Sequence, residues 1–377
     1  MALTDKLTAI GNAIRGKTGG TDLLTLDGMV TAINGISTGG ATLPPEAFNI
    51  TGNCDRLFAD GKWNWYIDLF GSQVTTNNIT SCSYMLSNCR ELTNIPFAIN
   101  GKSSENYISC NSMFQTCDAL LTLPTLTIKP YDMYSMFKEA KRIREIPESY
   151  ATTIDFSRVN SYSSSMGSMF TDCYSLRTIP SGFLKQCYST TTSSYDCFYY
   201  YAFYGAWCLN EMVGLPVLPV EFTSNAFYYT FTRCHRVKNI IFDTNEDGTA
   251  KTAQWTNQVI DLTEGVGYCY SASDMTSYNS GITADKEVDS VTTYDALKED
   301  PDWFASLLTY SRYDKVSAIA TINSLPDTSA YLATTGGTNT IKFQGGAGNG
   351  TDNGAINTMT EEQIAVATAK GWTIAFA

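Results

Sequence analysis

The sequence has few charged residues, a single histidine and no long apolar run. Charged residues make up 16% of the chain, and 37 acidic against 25 basic residues leave a formal net charge of −12. Because so acidic a chain does not attract a polyanion, we expect no nucleic acid partner. No apolar stretch approaches the roughly 20 residues that a helix needs to cross a membrane, so we expect no membrane insertion.

Signatures of a catalytic or metal site are also scarce. His235 is the only histidine, which excludes a two-histidine zinc motif, and no CxxC pair is present. Glu361 and Glu362 fit favourable charges in the first turn of a helix better than a pair of catalytic carboxylates. The sequence predicts a protein that is not an enzyme and needs no cofactor. An enzyme acting on envelope polysaccharide is the remaining alternative.

Aromatic residues, by contrast, are abundant, with 23 Tyr, 18 Phe and 6 Trp. A surface with little charge and many Tyr, Ser, Thr and Asn side chains suits a neutral ligand such as a glycan, or a protein. The alternative is that most of these rings fill a core.

A short pattern recurs through the first two thirds of the chain. Its clearest copy is CNSMFQTCDALLTLP at 110–124, where an aromatic or Leu anchor is followed, at steps of three, by a small residue and two aliphatic residues. The anchors stand at 58, 86, 114, 137, 170, 203 and 231, at intervals of 28, 28, 23, 33, 33 and 28 residues. A near-regular period of this length indicates a solenoid. The predicted core positions include Phe114, Cys117, Leu120, Leu123, Phe137, Phe170, Cys173, Leu176, Ile179, Phe203, Phe231 and Cys234.

Each copy of the pattern predicts a small α+β unit. The first slots predict a short helical turn, and the LxxIP segment, as in Leu176 to Pro180, predicts a short strand that ends at a proline without an amide donor. One unit cannot bury its apolar side chains alone, whereas stacked units form a continuous core. The predicted fold class is therefore an α+β solenoid.

Four of the eleven cysteines occupy the small-residue slot, at 89, 117, 173 and 234. Ala140 and Ala206 fill the same slot in two other copies. Because alanine can neither form a disulfide nor bind a metal, the slot requires a small apolar group, and cysteine meets that requirement. We expect reduced thiols.

The segments MFQTCDALLTLP, MFTDCYSLRTIP and MLSNCRELTNIP resemble the BspA-like class of leucine-rich repeats, which occurs in bacterial surface proteins and in virion proteins of bacteriophages. The resemblance covers residues 54–242. It implies a leucine-rich repeat stack with a curved, strand-lined surface used for binding rather than for chemistry.

Residues 1–38 differ from the repeats. Apolar side chains recur at helical spacing from Leu3 to Ile14 and again from Leu26 to Ile36. Helices this short are unstable alone, so they require sister copies of the chain or a docking protein. The run LTDKLTAIGNAIRGKTGG resembles the N-terminal module of many phage tail-associated proteins. We expect this segment to attach the chain to other tail proteins or to trimerise it.

A linker at 39–53 precedes the repeats, and the period is lost in residues 243–377. Here we expect an irregular insertion followed by a C-terminal cap. The cap contains predicted helices at 302–308 and 315–325, a strand at 339–343, and a helix opened by a capping box between Thr360 and Gln363. The terminal segment TMTEEQIAVATAKGWTIAFA resembles that of phage-type BspA proteins, which implies an α+β cap over the open end of the stack.

Three local motifs suggest ligands on spacing alone. Residues 11–18, GNAIRGKT, match a P-loop, but a helical pattern precedes them, so a helix end with a glycine turn fits better. Asp243 to Gly248 resembles the opening of an EF-hand loop, yet Gln254 replaces the bidentate glutamate, which favours a polar hairpin turn over a structural calcium site. GGAGNGTD at 345–352 is a single copy of a calcium nonapeptide. We predict no metal site.

We nominate receptor-contact side chains in three places. Three consecutive tyrosines at 199–201 cannot all face inward, so at least one is exposed. Residues between the inward slots, including Thr93, Asn94, Glu145, Thr178, Lys238 and Asn239, are expected to line one face. The candidates are Tyr199, Tyr200, Tyr201, Tyr228 and Tyr229, then Trp63, Trp65 and Tyr66, then Arg144 and Arg177. Core filling is the alternative for the aromatic residues.

Together these features predict a bacteriophage virion protein, a tail fibre or receptor-binding protein that attaches to a host cell-surface glycan or protein as a homotrimer. No signal peptide is visible, which favours release by host lysis over export. The alternatives are a secreted BspA-like bacterial surface adhesin and a purely structural tail or head component.

Overall fold

The structure, a computed structural model, describes residues 49–101, 107–157, 166–186, 199–218, 221–223, 225–234, 237–263, 315–343 and 359–376. The chain divides into two compact units, Met1–Phe48 and Asn49–Ala377, and every described residue belongs to the second. The predicted N-terminal helices, the P-loop match, His235, the segments at 264–298 and 302–308, and GGAGNGTD all lie outside the described residues.

The described strands are short and pair in parallel. In the first half of the chain β1 pairs with β2, β3 with β5, and β4 with β6. These strands are β1 (Asn49–Asn53), β2 (Thr75–Ser81), β3 (Ile99–Asn100), β4 (Ile108–Ser109), β5 (Leu126–Thr127) and β6 (Pro130–Asp132). The helices of this half are α1 (Asn64–Phe70), α2 (Tyr150–Thr153) and α3 (Ser181–Gln186), with short 3-10 turns at Ala59–Gly61 and Gly71–Gln73.

In the second half β7 (Glu211–Leu215) pairs with β8 (Asn239–Phe242). A three-stranded parallel sheet follows, with β10 between β9 and β11. Its strands are β9 (Val259–Leu262), β10 (Asn339–Phe343) and β11 (Trp372–Phe376), and the helices of this half are α4 (Lys315–Ser324), α5 (Ser329–Thr335) and α6 (Glu361–Ala369). None of the helices in the described part of the chain is long and apolar enough to span a membrane.

The structure contradicts the predicted fold class. Across the described residues the strands form four separate two-stranded sheets and one of three strands, with few and short helices. The LxxIP segments are not strands, and the segment at 176–180 contributes only the isolated bridge between Glu145 and Thr178. An α+β solenoid of BspA-like leucine-rich repeats requires a strand from every unit in one sheet. Small parallel sheets joined by hydrogen-bonded turns replace it.

The physical reason lies in the backbone of the repeat copies. Their first eight residues form turns rather than helix, at 54–61, 82–89, 110–117, 133–140, 166–173, 199–206 and 227–234. We call these the seven turns. The third and seventh residue of each turn has a positive φ, as in Ser168 (55°) and Asp172 (56°). A helix cannot contain this alternation, because the amides no longer point along one axis.

The alternation divides the amides of each turn into two sets. In the turn at 82–89 the amides of Met85 and Ser87 bond within the turn, to the carbonyls of Cys82 and Tyr84. The amides of the third, fifth and seventh residues instead donate to the next turn, as when Leu86 bonds Met113 at 3.0 Å. The same three bonds recur at all six junctions between the seven turns. Each turn is therefore paired through its backbone with its neighbours.

The anchor rings follow this register. Phe114, Phe137, Phe170, Phe203 and Phe231 stack in sequence, with centroids 5.6, 5.6, 5.8 and 6.2 Å apart and planes within 8° of parallel. All five rings are buried, as are the cysteines and most aliphatic residues of the other slots. Leu123 differs, since it is only half-buried, while Leu126 of β5 is fully buried.

The C-terminal elements agree closely with the sequence. The predicted helix at 315–325 and strand at 339–343 are confirmed as α4 and β10. The capping box is also confirmed, because the Gln363 amide donates to Thr360 Oγ1 and the Thr360 amide donates to Gln363 Oε1. Helix α4 contacts β8 through Ser324, whose Oγ accepts the Phe242 amide at 3.0 Å.

Candidate functional site

Five tyrosines form a continuous aromatic surface on the last two of the seven turns. We call Tyr200, Tyr201, Tyr204, Tyr228 and Tyr229 the tyrosine patch. Tyr200, Tyr228 and Tyr229 are 37%, 46% and 36% exposed, and the other two are half-buried. Exposed aromatic residues in mutual contact are uncommon on a soluble surface and are typical of binding sites.

The two turns bring these rings together because they are in register. Tyr200 and Tyr228 occupy the second position of successive turns and stack with centroids 5.7 Å apart and an interplanar angle of 12°. Tyr201 and Tyr229 occupy the third position, and their centroids are 5.2 Å apart. Tyr204, at the sixth position, lies 5.3 Å from Tyr201. The patch is therefore a product of the backbone pairing between turns.

Two of the tyrosines have a backbone conformation that bulky residues rarely adopt. The φ angles of Tyr201 and Tyr229 are 53° and 52°. Such a conformation costs on the order of 1–2 kcal/mol for an L-residue. Backbone bonds offset this cost, since the amide of Tyr201 donates to the Tyr228 carbonyl at 3.1 Å. The rings are thus fixed by the main chain, so a ligand meets a surface with little freedom to lose.

The patch is uncharged apart from one arginine at its edge. Arg233 lies over the ring of Tyr204, with its guanidinium carbon 5.4 Å from the ring centroid. Burial, and then the neighbouring phenols of Tyr200, Tyr228 and Tyr204, raise the pKa of Tyr201. Its hydroxyl therefore stays protonated at neutral pH and can donate a hydrogen bond. The surface offers flat apolar faces with hydroxyl groups at their edges.

Tyr199, the first residue of the predicted tyrosine run, lies in the core. It is fully buried, its ring stacks on Phe227 with centroids 4.4 Å apart, and its hydroxyl donates to the Pro216 carbonyl. It occupies the first position of its turn, which faces inward in every copy. The prediction that at least one residue of the run is exposed is confirmed by Tyr200, whereas Tyr199 is unsuited to receptor contact.

A second aromatic cluster lies at the first turn. Trp63 and Trp65 are 45% and 53% exposed, and their centroids are 6.1 Å apart. Tyr66 of α1 is half-buried and packs edge-on against both indoles. The ring of Tyr66 also contacts Phe70 and Phe58, with centroid distances of 5.5 and 6.3 Å. This cluster has a more exposed apolar surface than the tyrosine patch, but fewer of its rings are stacked.

Arg144 and Arg177 hold the same position, seven residues after the anchor, in successive copies of the repeat. With Asn210 of the next copy they form a row of residues linked through the backbone. The Arg177 amide donates to the Arg144 carbonyl at 2.8 Å, and the Asn210 amide donates to the Arg177 carbonyl at 3.1 Å. Arg144 is exposed and Arg177 half-buried. The other residues nominated for this face, Thr93, Asn94, Glu145, Thr178 and Lys238, are exposed, and Asn239 is half-buried. The row carries both signs of charge, with Lys238 3.2 Å from Glu211.

The EF-hand-like segment forms a tight hairpin. Thr244 and Ala250 form an antiparallel bridge, and Asp247 Oδ1 accepts bonds from the amide and hydroxyl of Thr249. The Asp243 carboxylate pairs with Lys251 at 2.5 Å. Within the described residues no group of three or more His, Cys, Asp or Glu side chains is arranged to hold a metal ion. The carboxylates of Asp243 and Asp247 are therefore engaged by neighbouring residues of the hairpin.

Sequence reasoning missed two members of the aromatic site, Tyr204 and Arg233. Both follow an anchor phenylalanine, Tyr204 by one residue and Arg233 by two, and so hold the sixth and seventh positions of their turns. An alignment of the seven turns by position places them beside the tyrosines at positions two and three. The repeat pattern identifies these positions, but it does not show that Tyr204 and Arg233 are accessible, because Thr171 and Thr116 are buried at the same two positions of other turns.

No protein-family model matches this chain, and no curated protein or solved structure is significantly similar to it.

Proposed function

We propose that this protein is a non-enzymatic attachment protein, the receptor-binding protein of a bacteriophage tail, and that the tyrosine patch contacts a glycan on the host surface. The observation that carries the proposal is the set of five contacting tyrosines, three of them exposed, on a chain with little charge. The likeness of residues 1–38 to the N-terminal module of phage tail-associated proteins supports the viral assignment.

Tyrosine suits a glycan for two reasons. The aromatic faces pack against the C–H faces of sugar rings, and the hydroxyls hydrogen-bond sugar oxygens without a charge that must be desolvated. The stack of Tyr200 on Tyr228 offers its ring edges, while Tyr229 lies across them with its centroid 4.2 Å from that of Tyr228. Several adjacent rings favour an extended ligand such as a chain of sugars over a single small molecule.

The residues outside the patch have separate roles in the proposal. The N-terminal segment at 1–38 attaches the chain to other tail proteins or trimerises it. Trimerisation would present three patches to one surface, which increases avidity without any new contact. The Trp63 and Trp65 cluster is a second contact surface.

The test compares purified full-length protein with the double variant Tyr200→Ala/Tyr228→Ala on an array of bacterial surface polysaccharides. Each truncation removes roughly 1 kcal/mol of aromatic contact, so binding should weaken at least tenfold. Tyr134→Ala is the matched control, because Tyr134 holds the same turn position but lies outside the patch. Thermal melting should show equal folding of all three proteins.

Four outcomes contradict the proposal. Equal glycan binding by the double variant removes the tyrosine patch from the function. Absence of binding to glycans and to whole bacterial cells favours a purely structural tail or head component. Labelling the chain on phage particles for electron microscopy places it on the tail, on the head or on neither, and a bacterial surface adhesin would be found on neither. Release of reducing ends from a bound polysaccharide would make the protein an enzyme.

A further inference from the structure

The first three of the seven turns enclose a cleft with a different chemistry. Seven residues line it, namely Arg56, Ala59, Asp60, Tyr84, Ser87, Asn88 and Gln115, and we call it the polar cleft. Its volume is about 210 Å³. Pockets for drug-sized ligands are roughly 300–1,000 Å³, so this cleft fits a smaller ligand of one ring.

The cleft exists because the sixth turn position changes size along the stack. This position is Ala59 and Ser87 in the first two turns, whereas it is Gln115 and Lys138 in the next two. The small residues leave space that the longer Gln115 closes on one side. The positive-φ residues Arg56, Tyr84 and Asn88 are held by bonds between turns, for example from the Arg56 amide to Ser83 at 3.0 Å. The walls are therefore part of the paired backbone and are formed before a ligand arrives.

The guanidinium of Arg56 is the available charge in this cleft. It lies over the ring of Tyr84, 4.7 Å from the centroid, and it makes no hydrogen bond or ion pair with any described residue. The ring covers one face of the guanidinium but leaves its N–H edge open. An edge with several coplanar N–H groups matches a carboxylate in two-point geometry.

The one acidic side chain of the cleft is already compensated. Asp60 Oδ1 accepts from Asn88 Nδ2 at 3.2 Å, and Asp60 Oδ2 lies 3.3 Å from Lys62 Nζ. With Lys62 at the rim, the cleft and its edge carry two positive charges and one negative charge, on a chain whose net charge is −12. The side-chain amide of Gln115 makes no hydrogen bond with the described residues and can both donate and accept.

From this arrangement we propose that the polar cleft binds a monosaccharide that carries a carboxylate, with Arg56 on the carboxylate and Gln115, Asn88 and Asp60 on the ring hydroxyls. The cleft is separate from the tyrosine patch, which lies on the last two turns and has its one charge, Arg233, at its edge over the ring of Tyr204. The two sites together would give the protein a preference for acidic surface polysaccharides over neutral ones.

The experiment is saturation-transfer difference NMR on the full-length protein, with glucuronate as the probe. Glucose tests the need for the carboxylate, and acetate tests the need for the sugar ring. We expect a saturation-transfer signal from glucuronate that neither glucose nor acetate reduces when it is added at equal concentration. Arg56→Gln should weaken glucuronate binding at least tenfold, which corresponds to a charge-assisted hydrogen bond, and Arg56→Lys should restore part of it.

Two further variants keep the result interpretable. Gln115→Glu conserves shape but adds a negative charge to the wall, so it should abolish glucuronate binding even if Arg56→Gln alters local packing. Arg142→Gln is the matched control, because Arg142 lies outside the cleft, and it should bind like the parent.

Binding of glucuronate that is insensitive to Arg56→Gln and Gln115→Glu overturns the proposal. Equal signals from glucose remove the carboxylate from it, and equal signals from acetate remove the sugar. Loss of polysaccharide binding in the Tyr200→Ala/Tyr228→Ala variant with intact glucuronate binding separates this site from the tyrosine patch.

Discussion

The thiol of Cys173 donates to the carbonyl oxygen of Phe137, 3.0 Å away in the preceding turn. The same bond joins Cys89 to Phe58, Cys117 to Leu86 and Cys234 to Phe203, at 3.0, 3.1 and 3.2 Å. Cysteine is therefore more than a small apolar group in this slot, because its S–H adds one polar contact between turns. Ala140 and Ala206 show that the contact is dispensable at two of the six junctions between turns.

Substitution of Cys173 should separate size from hydrogen bonding. We expect Cys173→Ala to lower the free energy of unfolding by about 1 kcal/mol, since it removes one weak bond and one buried atom. Cys173→Leu should cost about 1–3 kcal/mol, because the slot between stacked turns cannot expand. Urea unfolding followed by circular dichroism measures both values. A leucine variant as stable as the parent would show that the turns are not closely packed at this slot.

The buried thiols should also make the protein sensitive to alkaline pH. Burial raises the pKa of Cys54 and of Cys89 from 9.0 to about 11. A pKa that is higher in the folded state means that folding favours the protonated thiol. Stability is therefore complete below pH 9 and falls as the pH rises through 11. Between pH 8.5 and 10.5 the free energy of unfolding of Cys54→Ala/Cys89→Ala should fall by about 1 kcal/mol less than that of the parent protein. Equal pH profiles of parent and variant, measured by urea unfolding, would contradict this assignment.

Asp172 should respond to pH in the neutral range. Burial, followed by the nearby Glu139 carboxylate, raises the pKa of Asp172 from 3.8 to about 6. The carboxyl lies against Gly205, where an added Cβ would be 2.3 Å from Asp172 Oδ1. Because the folded pKa exceeds the unfolded one, the contribution is complete below pH 3.8 and is lost as the pH rises through 6. Asp172→Asn should therefore raise the melting temperature at pH 8, by roughly 2–4 °C, and have little effect at pH 4.

Asp155 provides a control of opposite sign for this measurement. Hydrogen bonds from Ser157, together with Lys129 at 3.0 Å, lower the pKa of Asp155. Its contribution is present above pH 3.8 and is lost as the pH falls below that value. Asp155→Asn should thus lower the melting temperature at pH 8, where Asp172→Asn raises it. Shifts of the same sign for both variants would contradict the assignment of Asp172.

The repeat positions could be predicted from the sequence, but the conformation of the repeats could not. The steps of three that identify Phe114, Phe137 and Phe170 as anchors reflect burial, and these rings do form one stack. A spacing of three is shared by helices and by these turns, so periodicity alone does not separate them. The distinguishing signal was local. In four of the seven turns the seventh position holds Asp60, Asn88, Asp172 or Gly205, residue types that tolerate a positive φ, whereas Thr116, Glu139 and Arg233 hold it in the other three.

The tyrosine patch was only partly predictable for a related reason. Tyr201 and Tyr229 adopt a positive φ that nothing in their own chemistry favours, and at Tyr201 the backbone bond to the Tyr228 carbonyl stabilises it. That conformation divides the three consecutive tyrosines into the buried Tyr199, the exposed Tyr200 and the half-buried Tyr201. The polar cleft was not predicted at all, because it depends on the difference in size between Ser87 and Gln115 in adjacent turns.

A partly buried ion pair joins the residues that directly follow the third and fourth of the seven turns. Lys141 Nζ lies 3.0 Å from Asp118 Oδ1, and Arg90 lies 3.6 Å from Asp118 Oδ2. The Asp118 oxygens accept no hydrogen bond of good geometry, so the contact is one of charge. Lys141 is buried, which means that its charge is stabilised mainly by this carboxylate.

Breaking this pair from one side should cost more than removing it. Lys141→Met leaves Asp118 with only the longer Arg90 contact, so we expect a loss of about 1–3 kcal/mol in the free energy of unfolding. Lys141→Met/Asp118→Asn removes both charges and should recover at least half of that loss. A double-mutant cycle by urea unfolding gives the coupling energy, and Lys62→Met, at an exposed pair with Asp60, serves as the control with little effect. If the double variant were as unstable as the sum of the single variants, the coupling energy would be zero, and the contact between Lys141 and Asp118 would not stabilise the fold.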